Sequence, residues 1–153
     1  MTVVADTSPL NYLVQIEEVD LLPRLYGTIV IPGAVLEELS HPGSPLAVSS
    51  WIRQSPQWLE VRSVESGPHA PDLLELHPGE RAAIQLALIE PERLLLIDDA
   101  NGRRQANRLG VSNVGTLGVL RLASILGLIK LNVVLDKLTR TNFRASSSLI
   151  SKL

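Results

Sequence analysis

The chain has 153 residues, 45% of them hydrophobic, and no cysteine. This is enough for one domain with a substantial core, and it excludes a disulfide framework, a thiolate metal site and a disordered chain. The formal charge of −2 conceals a division: residues 1–99 hold 15 acids against 5 Lys/Arg, a balance of −10, while residues 100–153 hold 9 Lys/Arg against one acid, Asp136, a balance of +8. Such asymmetry predicts a basic surface beside an acidic site, suited to gripping a phosphate backbone. Solvated helix faces are the plainer reading of the same bias.

Residues 2–5 read as a short buried strand that ends at Asp6. Ser8-Pro9 then opens a helix, with Ser8 as cap and Pro9 at the first helical position. Residues 28–31 form a second strand, and Pro32 starts a helix carrying Val35, Leu36, Glu38 and Leu39. A turn at 41–45 leads to a weaker helix through Trp51 and Ile52, a short strand at 58–61 and a loop at 66–71. Pro78 begins a helix with Ala82, Ala83, Leu86, Ala87 and Ile89, which Pro91 ends. Residues 94–97 are the clearest buried strand, followed by a helix from about Ala100 to Leu109 that stops at Gly110. A strand at 111–114, a helix at 117–126, a helix around 133–138, a Ser-rich turn and a short apolar piece at 149–150 complete the chain. Strands alternating with helices predict a parallel sheet covered on both faces.

No run approaches the roughly 18 apolar residues of a membrane helix. The start, MTVVADTSPL, lacks the basic region of a signal peptide, so a cytoplasmic protein is expected. His41, His69 and His77 lie in Pro/Gly-rich loops without metal-site spacing and read as surface residues.

The informative residues are acids at element ends: Asp6 in VVADTS, Glu38 in VLEEL, Glu80 in HPGERAA, and Asp98 with Asp99 in LLLIDDA. Ligands of parallel α/β folds bind outside the carboxyl ends of the strands, where Asp6 and Asp98 fall. Glu38 shares a helix side with Val35, while Glu37 points to solvent. Glu80 sits in a first helical turn, where a carboxylate suits the macrodipole, yet it leans toward the apolar side marked by Ala83 and Ile84. Two acids leaving a run of leucines need a cation or donor; Arg103 or Arg104, one turn on, offers a salt bridge instead of a metal. Carboxylates held side by side stay ionised only with a cation, and hard oxygen ligands suit Mg²⁺ or Mn²⁺. Thr7, Ser8 and Thr116 are candidate phosphate contacts or donors to the acids, and helix capping is the stronger reading for Thr116. Aromatic residues are few, so base stacking has little support.

At these residues the chain resembles a PIN domain (PilT N-terminus). The pieces that carry the resemblance are VVADTSPL, IPGAVLEEL, HPGERAAIQLAL, LLLIDDANGRRQANRLG, and VGTLGVL with a following LGLIK. It is similar to a branch described only as nucleic-acid-binding or ribonuclease-like, and more distantly to the VapC-like toxins of toxin–antitoxin pairs. The resemblance implies a three-layer α/β/α fold with a central parallel sheet and a Mg²⁺- or Mn²⁺-dependent ribonuclease acting on RNA. It also implies a homodimer and an antitoxin protein as partner. The family's acids fall on Asp6, Glu38, Glu80 and Asp98, with a register that admits Asp99 instead of Asp98. Ile97 stands where many members have a Thr, and Asn113 where a further carboxylate would stand. The implied metal set is Asp6, Glu80, Asp98 and Asp99, with Glu38 positioning water. Arg103, Arg104 and the basic C-terminal third would hold the RNA backbone. The rival expectation is a PIN-like module that binds nucleic acid or a partner without catalysis.

Overall fold

The structure is a computed structural model, and it describes residues 1–64, 73 and 75–144. Its five strands are β1 (Thr2–Ala5), β2 (Ile29–Pro32), β3 (Leu59–Arg62), β4 (Arg93–Leu96) and β5 (Asn113–Val114). They form one sheet in the order β3-β2-β1-β4-β5 with every pair parallel. The helices are α1 (Thr7–Gln15), α2 (Leu21–Tyr26), α3 (Gly33–Ser40), α4 (Leu46–Arg53), α5 (Pro78–Leu88), α6 (Ala100–Arg108), α7 (Thr116–Ile125) and α8 (Leu131–Thr139).

The period-two alternation of a strand divides its side chains between two cores. Val3 and Ala5, Ile29 and Ile31, and Leu96 face one side, where α1, α3, α4, α7 and α8 supply Leu10, Val35, Ile52, Leu120 and Leu138. Val4, Val30, Leu95 and Ile97 face the other side, covered by Ala83, Ile84 and Ala87 of α5 and by Ala106 of α6. Burial on both faces explains why 94–97 reads as a continuous apolar run. β3 is an edge strand, so its Val61 remains 44% exposed. The three-layer α/β/α architecture is therefore the one expected.

Several local readings change. Helix α1 begins at Thr7, so Asp6 takes the cap position, Ser8 lies inside the helix, and Pro9 falls third rather than first. Pro is tolerated there because the first-turn N–H groups have no intrahelical partner. Asp6 makes no side-chain cap hydrogen bond. Helix α2 is absent from the sequence reading: six residues around Pro23 are too short to show a period, yet Leu21 and Leu22 are buried. Ile89 lies just past the end of α5 and is 69% exposed, so it belongs to the surface and not to the apolar face. Gly110 does terminate α6, with φ of 76°. The expected loop at 66–71, His69, Lys152 and the apolar piece at 149–150 lie outside the described residues.

Ile84 and Ile89 give a direct test of this packing. Ile84→Ala should cost roughly 2–5 kcal/mol of unfolding free energy, because it leaves a cavity in a closed core. Ile89→Ala should stay within about 0.5 kcal/mol of the parent chain in the same denaturant titration.

Candidate functional site

Connections leave β1 toward β2 on one side, and the chain later returns to β4 on the other. The carboxyl ends of β1 and β4 therefore flank a topological switch point, where adjacent connections diverge and open a crevice. Asp6 is the first residue past β1, and its N–H donates to Leu96 O at 2.9 Å, extending the ladder into the crevice. Asp98 stands two residues past the end of β4.

Asp6 is 3% exposed, and its Oδ1 has no hydrogen-bond partner among the described residues. Burial pushes its carboxyl up to about 8; the Thr7 N–H opposes this, and the charges of Glu80, Glu38 and Asp98 add to it. The acids are thus near enough to act on one another through low-dielectric surroundings.

Each of the others is held by donors. Thr116 gives its N–H to Asp98 Oδ1 and its hydroxyl to Asp98 Oδ2, both at 2.7 Å. Thr116 is fully buried, so it positions a carboxylate and is not available to contact phosphate. A Cβ at Gly115 would come within 2.8 Å of Asp98 Oδ1, which is why glycine precedes that threonine. Burial raises the Asp98 pKa, while the two Thr116 bonds and the Arg103 charge lower it. Glu38 accepts the Thr7 hydroxyl through Oε2 and the Gly79 N–H through Oε1 at 3.0 Å, so one carboxylate ties α1, α3 and α5 together. A Cβ at Gly79 would lie 2.5 Å from Glu38 Oε1. Glu80 is buried and accepts the His77 N–H at 3.1 Å. Its pKa is raised by burial first and by Asp99 next.

Asp99 is exposed and caps α6, accepting the Gly102 N–H at 2.8 Å. Of the two adjacent aspartates, Asp98 is the one at the acid cluster and Asp99 the one at its rim beside Glu80. The expected salt bridge is absent: among the described residues neither Arg103 nor Arg104 forms an ion pair with either aspartate. Arg103 instead donates from Nε to Asn113 Oδ1 at 3.1 Å, and Arg104 is exposed. Ser8 lines a cavity of about 490 Å³ together with Glu80, Asp98 and Asp99. The same cavity is lined by Tyr12, His77, Asn142, Phe143 and Arg144, none of which the motifs marked. Tyr12 was within reach of sequence reasoning, one helical turn after Ser8; the C-terminal trio was not, because no local pattern links it to residues far upstream. His77 is a surface residue as read, but it stands at the crevice.

The donor chemistry fits a hard divalent cation: a buried, partnerless carboxylate oxygen among further carboxylates is a ligand in want of a positive charge. As the side chains stand, no three of the described acids or histidines are gathered closely enough to cage an ion. A bound cation would draw on Asp6, Glu80 and Asp98 by side-chain rotation from their present donors.

A family model described as a PIN domain matches residues 2–153, and the chain belongs to that family. Among solved structures, a PilT N-terminus domain protein from the hyperthermophilic archaeon Sulfolobus solfataricus P2 shares the fold, with a TM-score of 0.52 and 15% identity. The alignment covers 95% of this chain and all, 100%, of that one. No curated protein matches the chain. The fold is thus nuclease-type, and divalent ions are general in the family. No helix of the described residues is long and apolar enough to cross a membrane.

The buried Asp6 has a measurable consequence. An acid whose pKa is raised on folding binds its proton more tightly in the folded state, so stability is lost as pH rises from about 4 toward about 8. In chelator, Asp6 alone should cost the parent chain at most about 1.4 kcal/mol per pH unit across that window. Asp6→Asn should flatten the profile and be the more stable form at its alkaline end, read from denaturant melts at several pH values.

Proposed function

We propose that the protein is a Mg²⁺- or Mn²⁺-dependent endoribonuclease that hydrolyses RNA phosphodiester bonds at the crevice between β1 and β4. The observation that carries this reading is the buried Asp6 carboxylate, whose Oδ1 has no hydrogen-bond partner among the described residues and on which the charges of three other acids act. A cation bound there supplies Lewis-acid polarisation of a phosphate and acidifies a water.

The chain's own residues have distinct parts. Asp6, Glu80 and Asp98 would hold the cation. Thr116 and Gly115 fix the Asp98 carboxylate, and Thr7 and Gly79 fix Glu38. Glu38 orients or deprotonates the attacking water. Asp99 stands beside Glu80 at the rim, where its charge raises the Glu80 pKa. Ser8 lies at the mouth for a phosphate oxygen, and Arg103, whose charge already acts on Asp98, offsets charge that develops there. Arg104, exposed beside it, belongs to the outer backbone contacts.

A second reading has its own support. Glu38 and Asp98 already have both oxygens engaged by protein donors, and no cage of three is ready. A non-catalytic module that binds nucleic acid or a partner would look the same. Purified chain should cut single-stranded RNA with Mn²⁺ or Mg²⁺ and stop in EDTA. Asp6→Asn and Asp98→Asn should each reduce the rate by about a hundredfold or more, on the scale of losing one electrostatic stabiliser. RNA binding without any metal-dependent cleavage would establish the non-catalytic reading.

The homodimer is also part of the proposal. Leu122 and Ile125 toward the end of α7, Leu126 just past it and Val133 in α8 are 37–67% exposed, apolar surface of the kind that interfaces use. Ile125→Lys should convert a dimer to monomer in sedimentation experiments; a parent chain that sediments as a monomer refutes the dimer. The antitoxin partner rests on the family resemblance alone.

A further inference from the structure

The acidic crevice does not end at its carboxylates. Its far wall is the segment that follows α8, where Asn142, Phe143 and Arg144 line the same cavity as Asp98 and Asp99. A second cavity, of about 440 Å³, lies against Gln15 of α1 and against Lys137, Arg140 and Thr141. No residue lines both cavities, but their linings adjoin at two places in the chain. Tyr12 lines one and Gln15 the other, three residues apart on one side of α1. Thr141 lines one and Asn142 the other, adjacent in the chain. The two cavities thus lie in succession along α1 and the α8–Arg144 segment, and we take them as one groove.

Its chemistry changes along its length. Lys137 and Arg140 line one cavity, and Arg144 lines the other together with the acids. Lys137 forms no ion pair with any described residue. Arg140 pairs with Asp136 at 2.9 Å through one guanidinium nitrogen, leaving its other donors for a ligand. Glu17 is the opposing charge on this wall. Between the cations, Tyr12 and Phe143 meet edge to face, with centroids 5.0 Å apart and planes at 85°. Both rings are half-buried, so part of each remains open to the groove. Two of the chain's five aromatic residues therefore stand at the acidic crevice, although the small number of aromatics gave base stacking little support in the sequence.

We infer that this groove carries a single-stranded nucleic acid into the crevice, its phosphates on Lys137, Arg140 and Arg144 and an unpaired base against Tyr12 and Phe143. The inference rests on the ribonuclease reading for what happens at the acids. Cations spaced along a groove track a phosphate backbone, and aromatic rings between them take bases only when those are unpaired. The assignment moves the main grip away from Arg103 and Arg104, which line neither cavity.

The test is fluorescence anisotropy of a labelled 12-nucleotide oligouridylate with the full chain in EDTA, so that binding is read without cleavage. The triple variant Lys137→Gln, Arg140→Gln, Arg144→Gln should bind about tenfold or more weakly at low salt, and its log K against log salt slope should be shallower by about 2. The control triple Arg24→Gln, Arg121→Gln, Lys130→Gln removes as many cations from outside the groove and should stay near the parent. Phe143→Ala should weaken binding about five- to tenfold, while Phe143→Tyr retains the ring and should restore it. Melting temperatures of all variants establish that they are folded. Equal binding by the two triples, or equal loss in both, overturns the inference and leaves the groove to another occupant such as a protein partner. Absent cleavage by the parent chain in Mn²⁺ sinks the ribonuclease reading instead, without touching this result.

Discussion

The carboxylate of Asp6 sits where the fold can least accommodate a charge. It follows a strand whose last three residues are fully buried, at the centre of a sheet covered on both faces. Desolvation raises its pKa to about 8, and three neighbouring acids give it no relief. An apolar residue would pack there at no electrostatic cost. The rest of the site is arranged around that unmet need, and a positive ligand is what removes it.

The surrounding acids show how such a cluster survives folding. Thr116 brings both its backbone N–H and its hydroxyl to Asp98, with Gly115 leaving room for the carboxylate, and Gly79 brings an N–H to Glu38. Both glycines are sterically required, because a Cβ at either would press on the carboxylate it serves. These donors come from helix starts, where N–H groups have no intrahelical partner and the macrodipole favours negative charge. The scaffold thereby holds anions in place before any cation arrives. The same donors also keep the acids apart, so cation binding must draw side chains inward.

Much of this was legible in the sequence because the acids interrupt apolar runs. Asp6 after VVA and Asp98 after LLLI can only lie at strand ends, and parallel topology then places strand ends together. Glu38 and Glu80 could be assigned a side from the spacing to Val35 and Ile84. The register between Asp98 and Asp99 was not legible, since it depends on which one meets Thr116 across the β4–β5 pair. For Thr116 the sequence offered a cap, a phosphate contact or a donor to the acids, and only the placement of β5 beside β4 selects the donor to Asp98. The pairing of Tyr12 with Phe143 joins the two ends of the chain and leaves no local pattern. Helix α2 was missed because six residues are too few to show a helical period.

The central claim is that Asp6 exchanges a proton for a divalent cation. Calorimetric titration of the full chain with Mn²⁺ at pH 7, in two buffers of different ionisation enthalpy, measures protons released on binding. A group with a pKa of about 8 is mostly protonated there, so binding should release close to one proton per ion, and Asp6→Asn should release far fewer. Saturable Mn²⁺ binding with no proton release, or binding that Asp6→Asn leaves unchanged, would contradict the account.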